Sequence, residues 1–145
     1  MQQEAIKMAN KNLCIFILIA TIVTQATWVR AVEYTVGECK GWNEGVDFQA
    51  WADGKEYVQG DRLVFNYEYG KHNVVLLPDQ ASLDNCNLEK PLISLAHCGR
   101  NVVNLRTPGR VFVSSAVGED CKKGLKFWVD VKPCPAVLQG AHYIT

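Results

Sequence analysis

The chain has 145 residues, enough for one domain around one core. Lys plus Arg and Asp plus Glu number 15 each, so no net charge draws it to nucleic acid or to an anionic membrane surface. Apolar residues make up 48% of it, and its glycines and prolines are scattered without a repeat, which excludes a disordered, low-complexity or solenoid architecture.

Residues 1–31 read as a secretory leader. Lys7 and Lys11 form a basic start, and Leu13 to Val23 is a mostly apolar run, short of the ~20 residues a bilayer-spanning helix needs. Val29 and Ala31 fit the small-residue rule, so cleavage is expected after Ala31, with Ala26 as the alternative. The leader would take away Lys7, Lys11, Arg30, Glu4 and Cys14. From 15 basic and 15 acidic residues, three and one leave, so 12 and 14 remain and the mature charge is −2.

The mature domain is expected over 32–134, followed by a short tail over 135–145. The tail carries no hydrophobic stretch, so neither a GPI anchor nor a transmembrane segment is expected in the mature chain. No Asn-x-Ser/Thr sequence occurs, so N-glycosylation is not expected.

Glu33–Val36 opens the domain as a strand stopped by Gly37. Lys55–Val58 precedes a Gln59-Gly60-Asp61 turn. Arg62–Tyr67 alternates, with Leu63, Phe65 and Tyr67 on one face. Val74–Leu77 is a short apolar run stopped by Pro78. Asp79–Leu88 has room for a helical turn or two with Asp79 as N-cap. Asn101–Leu105 ends at Thr107-Pro108-Gly109, Arg110–Ser114 is β-branched and aromatic, and Lys126–Val131 alternates until Pro133. About seven short strands separated by turns predict an all-β fold, an antiparallel sandwich or barrel with short helical turns. Trp42 and Trp51 read as core or rim packing, and Trp128 as facing outward.

Five cysteines remain after the leader: Cys39, Cys86, Cys98, Cys121 and Cys134. Secretion places them in an oxidising compartment, where disulfides form. The odd number leaves at least one free, capped or paired between chains, and spacing alone does not choose the pairing. No C-x-x-C pair occurs, which removes the main support for a zinc ribbon or thioredoxin reading.

Several segments together resemble the phytocyanins, the plant blue copper proteins of the cupredoxin superfamily, and within them the plantacyanin and early nodulin-like members. They are Gly41-Trp42, Trp51-Ala52-Asp53-Gly54-Lys55, Gly60 to Tyr67, His72-Asn73-Val74, and the Gly109–Lys126 segment. The resemblance covers roughly residues 32–131. It implies a Greek-key sandwich, a copper site at one end, a Cys86–Cys121 disulfide beside that site and an extracellular, apoplastic location. Cys39, Cys98 and Cys134 depart from the basic pattern, and one pair of them could bridge.

A blue copper centre needs two imidazoles, a thiolate and a weak axial donor: the soft thiolate stabilises the reduced ion, the imidazoles suit both oxidation states, and the axial donor tunes the potential. The resemblance places His72 at the first imidazole position. Six residues on from Gly109 and six back from Cys121 both land on Ser115, which occupies the thiolate position. Asp120 then occupies the second imidazole position and Leu125 the axial one. A serine hydroxyl is a hard, weak donor, Leu125 offers no lone pair, and Asp120 offers a hard carboxylate. No working copper centre is therefore expected, with copper as the alternative cofactor. His72 reads as an imidazole left near the surface; weak binding of Cu(II) or Zn(II) by His72 with Asp120, and rescue by Cys98, are the competing readings. His97 and His142 have no coordinating neighbours.

Ser115, His72 and Asp120 are also the residue types of nucleophilic catalysis, but Ser115 lies in Val-Ser-Ser-Ala without a nucleophile elbow and no oxyanion hole can be named. An enzyme is not expected. Tyr67, Glu68, Tyr69 and Gly70 precede His72 and offer an aromatic rim to the same pole, with loop packing as the competing reading. The expected function is that of a secreted binding, signalling or cell-wall module, with an extracellular protein or a cell-wall polysaccharide as partner and no nucleic acid; electron transfer through copper is the alternative.

Overall fold

A computed structural model describes residues 30–135. Most of the expected leader, and the tail beyond Pro135, lie outside the described residues. In chain order the elements are β1 (Glu33–Thr35), a 3-10 turn (Glu38–Lys40), helix α1 (Phe48–Asp53), β2 (Tyr57–Val58), β3 (Arg62–Asn66), β4 (Val74–Leu77), helix α2 (Gln80–Asp84), β5 (Ile93–Leu95), β6 (Arg100–Asn104), β7 (Gly109–Ser114) and β8 (Lys126–Lys132).

The strands form two sheets, one ordered β1-β3-β6 and the other β2-β8-β7-β4-β5. Among the described residues eight strands replace the seven or so expected; the added one, β5, is only three residues long and mostly exposed. The pairing is also not wholly antiparallel. β1 runs parallel to β3, with Tyr34 opposite Leu63, and β2 runs parallel to β8, with Tyr57 opposite Val131. Such pairs need a crossover rather than a hairpin. Between β1 and β3 the crossover carries the 3-10 turn, α1 and β2; between β2 and β8 it carries β3 to β7. β2 is held to Tyr57–Val58, because Lys55 N–H still closes the last turn of α1 on Ala52 O at 3.1 Å.

Both short helices start at an aspartate that accepts a backbone N–H, Asp47 from Ala50 at 3.0 Å and Asp79 from Ser82 at 2.7 Å. The alternation read in β3 is present: Leu63 and Phe65 are fully buried and Tyr67 nearly so. They meet an aromatic cluster in which Trp42 touches Phe48, Phe65 and Phe127 at ring separations of 4.5, 5.2 and 5.8 Å. Each such ring buried contributes about 1.5–3 kcal/mol. Trp51 packs edge-on to Phe127, at the margin of this core. Trp128 is half-buried on the other face, against Val75, Leu77 and Leu83 of a smaller cluster, with the Arg110 guanidinium over its ring.

Cys86 and Cys121 form a disulfide that ties the end of α2 to the loop between β7 and β8. Cys39, Cys98 and Cys134 are free, so no pair of them bridges.

Candidate functional site

Register brings the site together. β7 lies between β4 and β8, with Ser114 opposite both Val75 and Lys126. Residues just outside these pairs therefore converge at one end of the second sheet: His72 and Asn73 before β4, Ser115 after β7 and Leu125 before β8. The Ser115 N–H to Leu125 O bond, 3.1 Å, carries the ladder one step past the strands. Asp120 comes from the intervening loop. Gly124, at φ +99°, permits the turn that brings Leu125 N–H back to Asp120 O at 3.0 Å.

The four positions inferred from the resemblance are thus neighbours, and three of their side chains share one bonded cluster. Asp120 Oδ2 accepts the His72 Nδ1–H at 2.7 Å and the Ser115 hydroxyl at 2.5 Å. A serine has one proton, and the charge-assisted bond to a carboxylate takes it over the longer contact to Asn73 Oδ1 at 3.2 Å. His72 is 7% exposed, Asp120 5% and Ser115 0%. His72 is therefore not an imidazole left near the surface: the carboxylate in its pocket lets it stay buried with its ring nitrogen satisfied. Leu125 is fully buried in the main core cluster.

Asn73 is a structural member of this pole that the motif reading did not assign a role, and Trp42, read as core or rim packing, is fully buried beside it. Asn73 Oδ1 accepts the Ala116 N–H at 2.7 Å, and its backbone carbonyl accepts the Trp42 indole N–H at 2.9 Å. Asn73 thereby locks the strand entering β4 to the loop leaving β7, and Trp42 anchors both to the core. The signal was the Gly-Trp pair itself. Gly41 sits at φ +67°, and a Cβ there would lie 2.6 Å from Asn66 O, so only glycine lets the chain pass β3 and deliver Trp42 inward. Tyr67 stands edge-on to His72 at 6.1 Å, and its hydroxyl meets Asn101 Oδ1 and Ala96 O. Burial pushes the Tyr67 phenol up, and Cys98 alongside adds to the effect.

Ser115, Asp120 and His72 are not arranged for nucleophilic attack. Both Ser115 and His72 bond the same aspartate oxygen, whereas a base must bond the nucleophile itself. Cys98 Sγ is engaged by Arg100 O and the Asn101 amide rather than by His72, and His97 is exposed. Among the described residues no three His, Cys, Asp or Glu side chains gather as a metal set. As donors, the four converging positions supply one imidazole, one carboxylate, one hydroxyl and one aliphatic chain.

A family model described as a plastocyanin-like domain matches residues 42–125. A blue copper protein of Petunia hybrida is 38% identical over 72% of this chain, which spans 39% of that protein's length. Blue copper protein 1b of Medicago truncatula is 29% identical over 94% of this chain and 88% of its own. Among solved structures, Cu2+ cucumber stellacyanin superposes with a TM-score of 0.67 at 26% identity, covering 72% of this chain and 99% of that one.

Proposed function

The chain belongs to the phytocyanin family of blue copper proteins, and we propose that it acts outside the cell as a binding module without blue-copper electron transfer. The observation that carries this reading is the Asp120 carboxylate bonded to both His72 Nδ1 and Ser115 Oγ. A blue copper site needs a thiolate and two imidazoles, and this donor set does not fit it. Ser115 offers a hydroxyl already engaged, Leu125 offers nothing, and the His72 nitrogen facing the cluster is taken by Asp120. Protons here join β4 to the β7–β8 loop, so the pole holds together without an ion.

The family's blue copper names support the other reading, electron transfer, and His72 is the ligand type retained for it. The module reading accounts better for the three remaining positions. A secretory leader pattern and the Cys86–Cys121 disulfide support an extracellular, oxidising setting. Tyr69, 82% exposed beside the His72 loop, supports recognition of a protein or cell-wall polysaccharide at this pole. Ser115 and His72 both bond Asp120 rather than each other, so this cluster lends no support to an enzymatic role.

Calorimetric titration of the purified chain with Cu(II), paired with melting curves with and without the ion, tests the proposal. Weak or absent uptake and an unchanged Tm are expected. Tight stoichiometric uptake that raises Tm would contradict it, because a ligand that binds only the native state must stabilise it.

A further inference from the structure

A second feature lies where the two sheets part. β6 is an edge of the first sheet and β5 an edge of the second. β5 has three residues, and its pairing with β4 ends at Ile93 opposite Leu76. Pro78, just past β4, has no N–H to extend the ladder. Between the edges runs a groove of about 290 Å³ walled by Leu77, Val103, Leu105, Val111 and Phe112. It continues into a recess of about 250 Å³ that shares Leu76, Ile93, Val103 and Arg106 with it. Leu92 and Ile93, 69% and 49% exposed, stand at its rim. They are two of the four large hydrophobic side chains exposed among the described residues, so apolar surface is concentrated here rather than scattered.

The charge around the groove has one sign. No Asp or Glu lines the groove or the recess; Arg106 and Arg110 do. Arg110 is already neutralised by a two-bond pair with Asp130, at 2.9 and 3.0 Å, and its guanidinium lies over Trp128. The Arg106 side chain is exposed and has no ion-pair partner among the described residues. One uncompensated guanidinium above an apolar floor matches one carboxylate on an apolar body, since its fork suits two parallel bonds to such a group.

We propose that this groove binds a small amphipathic monocarboxylate, its chain on Leu77, Val103, Val111 and Phe112 and its carboxylate on Arg106. The volume lies near the lower end of ligand pockets, about 300–1,000 Å³, which limits the occupant to a short chain or a single ring system. The groove shares no residue with the His72–Asp120 cluster. Copper uptake and carboxylate binding are therefore decided by separate experiments, and failure of either leaves the other standing.

The test is titration of the intact chain with decanoate below its micelle concentration and with 1-decanol as the uncharged match, read by calorimetry and by NMR shifts of the Val103 and Val111 methyls. Decanoate is expected to bind at one saturable site, at least about tenfold more tightly than decanol, the worth of a charge-assisted hydrogen bond. Arg106→Gln should erase that difference. Leu92→Ser with Ile93→Ser, both exposed and therefore compatible with folding, should weaken both ligands. Absence of binding, equal binding of acid and alcohol, insensitivity to Arg106→Gln, or shifts elsewhere in the chain would overturn the proposal. So would sedimentation showing a dimer that the Leu92/Ile93 double variant dissolves, since a second copy would then be the occupant.

Discussion

Asp120→Ala removes the acceptor on which the pole converges. Two buried donors, His72 Nδ1–H and the Ser115 hydroxyl, lose their partner. Ser115 can turn its proton to Asn73 Oδ1, 3.2 Å away, so its loss is partly recovered. Among the described residues the imidazole has no second acceptor at Nδ1. An unsatisfied buried donor costs about 1–3 kcal/mol, so the substitution is expected to destabilise the domain by about 3 kcal/mol. Asp120→Asn keeps the shape and one acceptor oxygen, and about 1 kcal/mol is expected. Replacing His72 and Asp120 together by leucine removes donor and acceptor at once, and should cost less than Asp120→Ala alone. Urea denaturation with an unchanged m-value reads all three. A loss below about 0.5 kcal/mol for Asp120→Ala, or equal losses for Ala and Asn, would refute the argument that this carboxylate holds the pole together.

Other consequences follow from the same geometry. Opening the disulfide by Cys86→Ser with Cys121→Ser releases a loop with a sequence separation of 35, and should cost about 4 kcal/mol on the chain-entropy estimate; hydrogen exchange should rise first in the β7–β8 loop, and an unchanged denaturation midpoint would contradict this. Trp42→Phe strips the indole donor from Asn73 O and should cost about 2 kcal/mol in the same denaturation assay, whereas no loss would mean that the indole bond does not anchor the pole. Asp130 is held below the usual carboxylate range, first by the hydrogen bond from Arg110, then by its charge, with desolvation opposing. The folded state therefore binds fewer protons than the unfolded chain as Asp130 titrates. Its contribution is present above the ordinary carboxylate pKa and is lost as pH falls through the depressed folded value. Asp130→Asn should flatten the acid limb of Tm against pH, modestly because the pair is exposed; an unaltered acid limb would refute the linkage.

Much of this architecture is legible in the sequence because it depends on local pattern. The alternation of Leu63, Phe65 and Tyr67, the stops at Pro78 and Pro133, and the Asp79 cap each act within a few residues, and the structure has strands or a helix end at each. Counting to Ser115 from both sides reached the residue just after β7 because β7 and β8 pair without a bulge up to Ser114 and Lys126. What escaped was set by distant partners. β5 is defined by the edge of β4, not by its own sequence, since Ile93 and Ser94 are exposed. The parallel pairings of β1 with β3 and of β2 with β8 join strands that whole elements separate. The burial of His72 depends on Asp120 arriving from 48 residues away, and spacing gives a loop position but not the direction of a side chain.

The account turns on donor chemistry at Ser115, Asp120 and Leu125. Its most direct test is the visible spectrum after Cu(II) addition, recorded side by side for the natural chain and for a variant carrying Ser115→Cys, Asp120→His and Leu125→Met. The account predicts no intense charge-transfer band from the natural chain and a blue band from the variant, because the thiolate, second imidazole and axial thioether then stand around His72. An intense blue band from the natural chain would contradict it, since a cysteine would then have to reach copper without Ser115 being changed.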